Sequence, residues 1–225
     1  MTKLPNFDPR TVPVIATDER LPRIAAEHWQ LNALQARFER GPLWSPEFRV
    51  EPKFSMRAPV HAAVLVPLVM REQTTVILTE RTAHLSSHSG QIAFPGGKVD
   101  PGDVDASAAA LREAYEEIGL EARYVQVLGT LPTYTTGSAY IVTPVVALVR
   151  AGFTLMPNPD EVADVFEVPL AFLMDPANHR RHSMEWEGAQ REWLSIPYPD
   201  PQGERFIWGA TAGMLRNLYR FLSAV

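Results

Sequence analysis

Three glutamates, Glu113, Glu116 and Glu117, stand close together near the middle of the chain. Carboxylate oxygens suit a hard divalent cation such as Mg²⁺, which also keeps coordination positions for water and substrate phosphates. Clusters of like charge also occur on solvated helix faces, where each i,i+3 or i,i+4 pair costs a few tenths of a kcal/mol. The spacing alone therefore leaves two interpretations, a cation site or an ordinary solvated face.

A proline–glycine–glycine sequence ending at Gly97 lies upstream of these glutamates. We predict a turn here, because glycine permits sharp changes of backbone direction. Such a turn would bring the backbone carbonyl of Gly97 close to whatever the carboxylates hold. Carboxylates, this carbonyl and phosphate oxygens would together satisfy a hard cation, so the context favours the cation site.

Residues 106–118 have the pattern of an amphipathic helix. At about 100° per residue, Leu111, Tyr115 and Ile118 form one apolar stripe, and the three glutamates fall on the opposite side. We therefore expect the stripe to pack into the core. The carboxylates would then share one accessible face.

The segment from Gly97 onward resembles the signature of the Nudix hydrolases, G-X5-E-X7-R-E-U-X-E-E-X-G-U with U apolar. The stretch 112–120 matches its second half without a gap. The first half differs, because the sixth residue after Gly97 is Asp103 instead of Glu, and one residue is added before Arg112. Asp103 and Asp105 are therefore alternatives for the first acid, and Asp105 is also well placed to cap the helix.

The resemblance implies an α+β fold, a Nudix-like α/β/α sandwich with a mixed central β-sheet. It implies hydrolysis of a diphosphate linked to another group, with Mg²⁺ or Mn²⁺ as cofactor. The implied metal ligands are Gly97, Glu113, Glu116 and Glu117. The three glutamates are also catalytic candidates, with Arg112 expected to orient a carboxylate by ion pairing. The general base is expected to be a glutamate of this segment or Glu161 in a later loop.

A second motif, residues 78–97, resembles the extra signature of the coenzyme A pyrophosphatase branch, LLTXR-S-X3-R-X3-G-X3-FPGG. Arg81, Gly90 and the FPGG are present, whereas Ser86 replaces the second arginine. Residues 206–215 also look like this branch. The implied reaction converts coenzyme A or acyl-coenzyme A into 4′-phosphopantetheine, or its acyl form, and adenosine 3′,5′-bisphosphate. The alternatives are ADP-ribose or another nucleoside diphosphate derivative as substrate, and a module that senses a nucleotide without turnover.

The candidates for substrate binding are cations and hydrogen-bond donors that would offset the acidity of the site, and an aromatic ring that could stack on adenine. They are Arg81, His84, His88, Gln91, Lys98 and Tyr140. Each type also has an ordinary structural role: Arg81 in a salt bridge at a strand end, the histidines in bonds to loop backbone, and Tyr140 in core packing.

The elements that must position these residues follow from hydrophobic periodicity. Residues 61–81 and 183–196 are each predicted to form a β-hairpin, residues 124–134, 140–150 and 165–168 to form strands, and residues 210–223 to form a helix. Strands and helices that do not alternate strictly favour an α+β domain.

Residues 1–58 are predicted to be an N-terminal arm, and residues 59–225 the Nudix hydrolase domain. Prolines at positions 5, 9 and 13 are expected to prevent regular structure at first, and residues 18–40 have helix-favouring composition interrupted by Pro22. The arm is interpreted as a packing or dimer element, and a homodimer is common in the family that the sequence resembles.

Composition excludes several classes of protein. The chain has 225 residues, about one elaborated domain, and its net charge of −5 gives no electrostatic case for binding nucleic acid. It has no cysteine, which excludes disulfides and thiol nucleophiles and fits a reducing compartment. The chain has no apolar run of about 20 residues, so the sequence predicts no membrane-spanning helix. Because the N-terminus has no basic-then-apolar signal, we expect a cytoplasmic protein. The partner implied by the family resemblance is a small-molecule substrate.

Overall fold

Apolar β-segments form two sheets in the computed structural model, which describes residues 7–82, 90–186 and 188–224. The strands are β1 (Val14–Thr17), β2 (Val60–Met70), β3 (Thr75–Arg81), β4 (Ile92–Ala93), β5 (Gly96–Lys98), β6 (Val125–Thr130), β7 (Tyr134–Thr135), β8 (Tyr140–Arg150), β9 (Val162–Pro169), β10 (Arg180–Trp186), β11 (Ala189–Asp200) and β12 (Gly203–Trp208). The α-helices are α1 (Leu31–Arg40), α2 (Ala106–Ile118), α3 (Leu170–Leu173) and α4 (Gly209–Ser223).

The larger sheet is mixed. Its main order is β4-β3-β2-β8-β6, with β5 against β2, β7 against β8 and β9 against β3. Strands β2 and β8 run parallel from the pair Val60–Tyr140 to the pair Met70–Arg150, whereas the other pairs are antiparallel. The hairpin predicted for residues 61–81 is confirmed, since Leu68 pairs with Val76. The α+β class with a mixed central sheet is also confirmed.

Both faces of β2 are buried, which explains its almost continuous apolar sequence. Successive side chains of a strand point to opposite faces. Ala63 and Leu65 accordingly belong to the core cluster under α2, whereas Val66 and Leu68 belong to a larger cluster that includes α4. Helix α2 and helix α4 therefore cover opposite faces of the sheet.

The second sheet has the order β1-β10-β11-β12 and contributes apolar residues to the α4 side. Strands β10 and β11 form the hairpin predicted around residues 183–196. Helix α4, predicted for residues 210–223, is buried over most of its surface, and its buried polar residues Arg216 and Asn217 have partners in the arm. The hydroxyl of Thr211 donates to the carbonyl of Ile92 at 3.0 Å and ties this helix to β4. Among the described residues, no helix is long and apolar enough to cross a bilayer.

The arm contains more regular structure than its prolines predicted. Strand β1 starts directly after Pro13 and pairs with β10, so the expectation of irregular backbone was wrong there. Proline is compatible with a strand at such an edge position, because the amide it lacks is not needed for pairing. Helix α1 starts at Leu31 and ends at Arg40, directly before Gly41, and Leu34 lies in the larger core cluster.

Buried ion pairs join the arm to α4. Arg216, whose side chain is 1% exposed, contacts Glu47 at 2.7 Å and Asp18 at 3.1 Å. Arg181 pairs with the same two carboxylates. The guanidinium of Arg216 also donates to Nδ1 of His179 at 3.0 Å, and burial lowers the pKa of His179 to about 4. The arm thus packs as part of this chain's own core, while the boundary at residue 58 and the homodimer stay predictions.

We expect His179 to make the protein less stable at acid pH. Its pKa in the folded protein, about 4, lies below its ordinary value of 6.5. Between these values the unfolded chain binds the proton more readily, so stability falls as the pH decreases from about 6.5 towards 4. His179→Gln should lose this dependence, because Gln does not titrate.

Urea unfolding of both proteins in EDTA at about pH 7.5 and about pH 5.5 measures the difference, expected to be about 1 kcal/mol. Comparison with the wild type removes the contribution of the other titrating groups. Equal pH dependence of the two proteins would show that His179 does not titrate in this way.

Candidate functional site

The buried face of helix α2 is shifted from the one predicted. Tyr115, assigned to the apolar stripe, is 57% exposed, whereas Glu117, assigned to the solvated side, is 3% exposed. The prediction was therefore wrong for these two residues, but it is confirmed for Ile118, which is buried, and for Leu111, which packs against the same core cluster. The residues that face the sheet include small side chains, namely Ala109, Ala110 and Ala114. Because alanine lets a helix approach a sheet closely, this face packs better than one with a tyrosine.

The turn predicted for the proline–glycine–glycine sequence was also wrong, since Gly96 and Gly97 belong to strand β5. They pair with Val64 and Ala63 of β2. A Cβ atom on Gly96 would lie 2.4 Å from the Ala63 carbonyl oxygen, and one on Gly97 would lie 2.5 Å from the Glu113 carboxylate. Glycine is thus required at both positions, because neighbouring atoms lie too close to β5 for a side chain. The same closeness places the Glu113 carboxylate of α2 directly against β5.

Glu117 is the most buried carboxylate of the site. Its Oε2 atom accepts the Gly96 N–H at 3.0 Å, and its Oε1 atom lies 3.6 Å from Nη1 of Arg81. Burial raises the pKa of Glu117 to about 7, although the Gly96 bond and the Arg81 charge oppose the shift. Burial also raises the pKa of Glu113. Burial of these two acids therefore lowers the stability of the folded protein, and groups with such shifted pKa values are common at functional sites.

Arg112 lies at the centre of the exposed part of the site. It binds Asp103 through two bonds of 3.1 and 2.9 Å and donates to the Lys98 carbonyl at 3.0 Å. Its Nη1 atom contacts Glu113 at 3.1 Å and Glu116 at 2.9 Å. The Arg112 guanidinium lowers the pKa of Asp103. Arg112 thus has the ion-pairing position expected from the sequence.

The two alternatives for the first acid have separate places. Asp105 accepts the Ala108 N–H at 2.8 Å and caps α2, as its position predicted. Asp103 pairs with Arg112 instead. The two acids therefore have separate tasks: Asp105 caps the helix, and Asp103 is the one of the two that pairs with Arg112.

Glu161 lies close to the carboxylates of α2, although it comes from the loop before β9. After the larger effect of burial, its charge contributes to the raised pKa of both Glu113 and Glu117. Its carbonyl accepts the Thr82 N–H at 3.0 Å, and its carboxylate lies 3.4 Å from the Asn158 amide. Sequence reasoning missed Thr82 and Asn158 as partners of Glu161, because neither motif that it used includes these contacts.

The other predicted substrate contacts lie in different parts of the fold. The Arg81 N–H donates to the Gln91 carbonyl at 3.0 Å, so these two residues are neighbours. Lys98 has an exposed side chain, and its carbonyl holds Arg112. Tyr140 is half-buried at the start of β8 and packs against the larger core cluster. His84 and His88 lie outside the described residues.

The donor chemistry of the site suits a hard divalent cation, because the available ligands are carboxylates and backbone oxygens. Within residues 7–82, 90–186 and 188–224, no three acidic or histidine side chains converge on one point. The arrangement explains this, since Arg112 attracts Glu113 and Glu116 while Arg81 and Gly96 bind Glu117. Arginine side chains and a backbone N–H thus occupy the same carboxylate oxygens that a cation would require.

Solved structures that partly match this chain include three Nudix proteins. A MutT/nudix family protein from Enterococcus faecalis is 15% identical, covers 86% of this chain and 71% of its own, and has a TM-score of 0.44. An Ap4A hydrolase from C. elegans is 24% identical, with 52% and 85% coverage and a TM-score of 0.43. The NUDIX domain of Shewanella oneidensis NrtR, solved with ADP ribose, is 22% identical, with 54% and 79% coverage and a TM-score of 0.40.

Sequence relatives are closer. "Uncharacterized Nudix hydrolase NudL" of Photorhabdus laumondii is 41% identical over 158 residues, 70% of this chain and 82% of that protein. The protein of the same name from Yersinia pestis (strain Pestoides F) is 41% identical over 162 residues, with 72% and 79% coverage. The NUDIX domain model matches residues 59–193, more than half of the chain. The chain therefore belongs to the Nudix hydrolase family.

Proposed function

We propose that this Nudix hydrolase cleaves the diphosphate bond of coenzyme A or acyl-coenzyme A. The products would be 4′-phosphopantetheine, or its acyl form, and adenosine 3′,5′-bisphosphate. The observation that carries the proposal is the 3.6 Å pairing of Arg81 with Glu117. Arg81 comes from the motif that resembles the coenzyme A branch, and Glu117 from the acidic segment typical of the family. Two motifs that are apart in sequence thus contribute to one site.

The cofactor that we propose is Mg²⁺ or Mn²⁺. The residues that would hold it are Glu113, Glu116 and Glu117, together with the carbonyl of Gly97. When bound, such an ion neutralises charge on the diphosphate and lowers the pKa of water. Arg112 keeps Glu113 and Glu116 together on the open side of α2, and a glutamate of α2 or Glu161 would accept the proton of the attacking water.

Substrate recognition must overcome the acidity of the protein, whose net charge is −5. Arg81 supplies positive charge beside Glu117. A guanidinium binds phosphate oxygens in a bidentate geometry, which an ammonium group does not. We therefore propose that Arg81 contacts the diphosphate, that Lys98, His84, His88 and Gln91 support it, and that Tyr140 stacks on the adenine.

A second candidate substrate class is ADP-ribose or another nucleoside diphosphate derivative. Ser86 favours it, because the coenzyme A signature has an arginine at that position. A nucleotide-sensing module without turnover is less well supported, since all three glutamates and Arg112 are present and Arg112 pairs with two of the glutamates.

Product analysis tests these alternatives. Coenzyme A, acyl-coenzyme A, ADP-ribose, NADH and nucleoside triphosphates would be supplied side by side, with and without EDTA. We expect 4′-phosphopantetheine and adenosine 3′,5′-bisphosphate from coenzyme A, and no turnover with EDTA. A large preference for ADP-ribose would contradict the coenzyme A assignment but not the family, whereas no hydrolysis of any compound would favour the sensing module.

Gly97→Ala is expected to lower turnover at least about tenfold, because misplacement of a catalytic group by about 1 Å has effects of this size or larger. The new methyl group would overlap the Glu113 carboxylate, with 2.5 Å between the Cβ and carboxylate atoms. Steady-state kinetics at several Mn²⁺ concentrations should show a higher half-saturating concentration. The matched control is Gly102→Ala, whose Cβ meets no atom within 4 Å. Equal kinetics of both variants would show that Glu113 does not need this space.

The cellular setting is also a proposal. The absence of cysteine fits the reducing cytoplasm. A homodimer is proposed from the family resemblance, and light scattering on the purified protein measures it. A mass near 25 kDa, that of one chain, would contradict the dimer.

A further inference from the structure

Two arginines neutralise the acidic site, and they are held very differently. The guanidinium of Arg112 is fixed by Asp103 and by the Lys98 carbonyl, besides its contacts with Glu113 and Glu116. Among the described residues, the guanidinium of Arg81 has one ion-pair partner, Glu117, and their nearest atoms are 3.6 Å apart. Within the part of the chain that the structure describes, Arg112 is thus held by several groups, whereas the side chain of Arg81 is paired with Glu117 alone.

The backbone of Arg81 is fixed, so a change of partner requires only side-chain rotation. Its N–H donates to the Gln91 carbonyl at 3.0 Å, and its carbonyl accepts the Gly90 N–H at 3.1 Å. The side chain is 28% exposed, whereas that of Glu117 is 4% exposed. Arg81 can therefore turn towards solvent, where a ligand would arrive, while Glu117 stays in place.

The pairing of Arg81 with Glu117 and the binding of a divalent cation to Glu117 exclude each other because of charge. Oε2 of Glu117 is bonded to Gly96, so Oε1 is the atom that faces Arg81. A divalent cation that takes Oε1 as a ligand would lie next to the guanidinium, and like charges at such short range repel strongly in a partly buried site. A diphosphate offers the guanidinium a better partner, since bidentate phosphate contacts are among the strongest that arginine makes.

We propose that Arg81 is the counter-ion of Glu117 while the cation is absent, and that it transfers to the substrate's diphosphate when a divalent cation binds Glu117. The inference rests on the proposed function and deepens it. Arg81 then competes with the cation in the free protein and cooperates with it in the complex. Cation and diphosphate binding become coupled through one side chain, and such coupling is reciprocal.

The test is the affinity of the protein for Mn²⁺ alone, measured from free Mn²⁺ by electron paramagnetic resonance. Arg81→Gln removes the competing charge, so we expect Mn²⁺ to bind about fivefold more tightly. Arg81→Lys keeps the charge and should bind Mn²⁺ much as the wild type does. With Mn²⁺ present, methylenediphosphonate should bind Arg81→Gln at least about tenfold more weakly.

A matched control separates this local effect from a change in net charge. Arg123→Gln changes the net charge equally, but Arg123 is an exposed residue paired with Glu121 after α2, and Mn²⁺ affinity should not change. Unchanged Mn²⁺ affinity in Arg81→Gln would mean that Arg81 contacts only the substrate, and weaker affinity would mean that it supports Glu117. Either result overturns the inference.

The outcome is distinguishable from failure of the proposed function. Methylenediphosphonate contains only the group common to all candidate substrates, so a preference for ADP-ribose in the product analysis would leave the inference intact. If neither the wild type nor Arg81→Gln binds Mn²⁺, the cation site is wrong and the inference is overturned with it.

Discussion

Glu117→Gln is expected to lower kcat by about 1,000-fold while the protein keeps its fold, a loss in the range attributed to one positioned catalytic group. Glutamine has nearly the same shape and can still accept the Gly96 N–H that Glu117 accepts at 3.0 Å. It cannot supply the negative charge that a cation needs. Product formation from coenzyme A at saturating Mn²⁺ measures the loss, and circular dichroism verifies the fold.

The same substitution should have a distinct effect on stability without metal. The pKa of Glu117 in the folded protein, about 7, lies above its ordinary value of 4.5. The folded state therefore binds the proton more readily than the unfolded chain, and wild-type stability in EDTA falls as the pH rises from about 4.5 to 7. Glu117→Gln removes this fall. At about pH 8 the variant should be at least as stable as the wild type. That result would rule out misfolding as the cause of the lost activity.

Two further variants sharpen this prediction. Glu116→Gln should also lose most of its turnover, because Glu116 is proposed to hold the same cation. Glu121→Gln removes an equal charge just after α2, where Glu121 pairs with Arg123, and should retain full activity. Full activity in both Glu116→Gln and Glu117→Gln would remove the argument that these residues bind a metal.

Arg216→Met is expected to destabilise the protein by about 3–5 kcal/mol, because the two carboxylates that it contacts would then share the single charge of Arg181, and one negative charge would be uncompensated. Arg216 is buried and contacts Glu47 at 2.7 Å and Asp18 at 3.1 Å. These carboxylates come from the arm, so the loss should loosen the arm from α4. Urea unfolding measures the difference in free energy.

An exposed pair gives the matched control. Arg23 contacts Asp175 at 3.1 Å but is 77% exposed, and Arg23→Met should cost less than about 1 kcal/mol. If Arg216→Met does not accumulate as folded protein, Glu47→Gln tests the same network with less disruption, since Arg181 keeps its pair with Asp18. A similar small change in all three variants would show that the buried network adds nothing to stability.

Much of the fold followed from local pattern. The β2–β3 and β10–β11 hairpins, the long strand β8 and the helices α2 and α4 lie where the periodicity predicts them. Asp105 caps α2, and Gly119 ends it with a φ of 69°, because both residue types satisfy local backbone requirements. These features depend on neighbours in sequence, so the sequence contains the information that they need.

The orientation of α2 could not be predicted in the same way. The wheel placed Tyr115 in the core and Glu117 in solvent, whereas the structure does the reverse. A wheel weighs hydrophobicity, but the buried face was selected by how closely the helix could approach β2 and β5. The glycines of β5 and the alanines of α2 permit that approach, and their small size matters only once both elements are in contact.

The sequence by itself determined the set of chemical groups, the order of the strands and helices along the chain, and the resemblance that identifies the family. Only the tertiary structure decided that Arg81 faces Glu117, that Asp103 rather than Asp105 pairs with Arg112, and that Arg216 holds the arm. The physical reason is that patterns in sequence report interactions along one element. Ion pairs between distant segments depend instead on burial and on distances that arise only when the elements pack together.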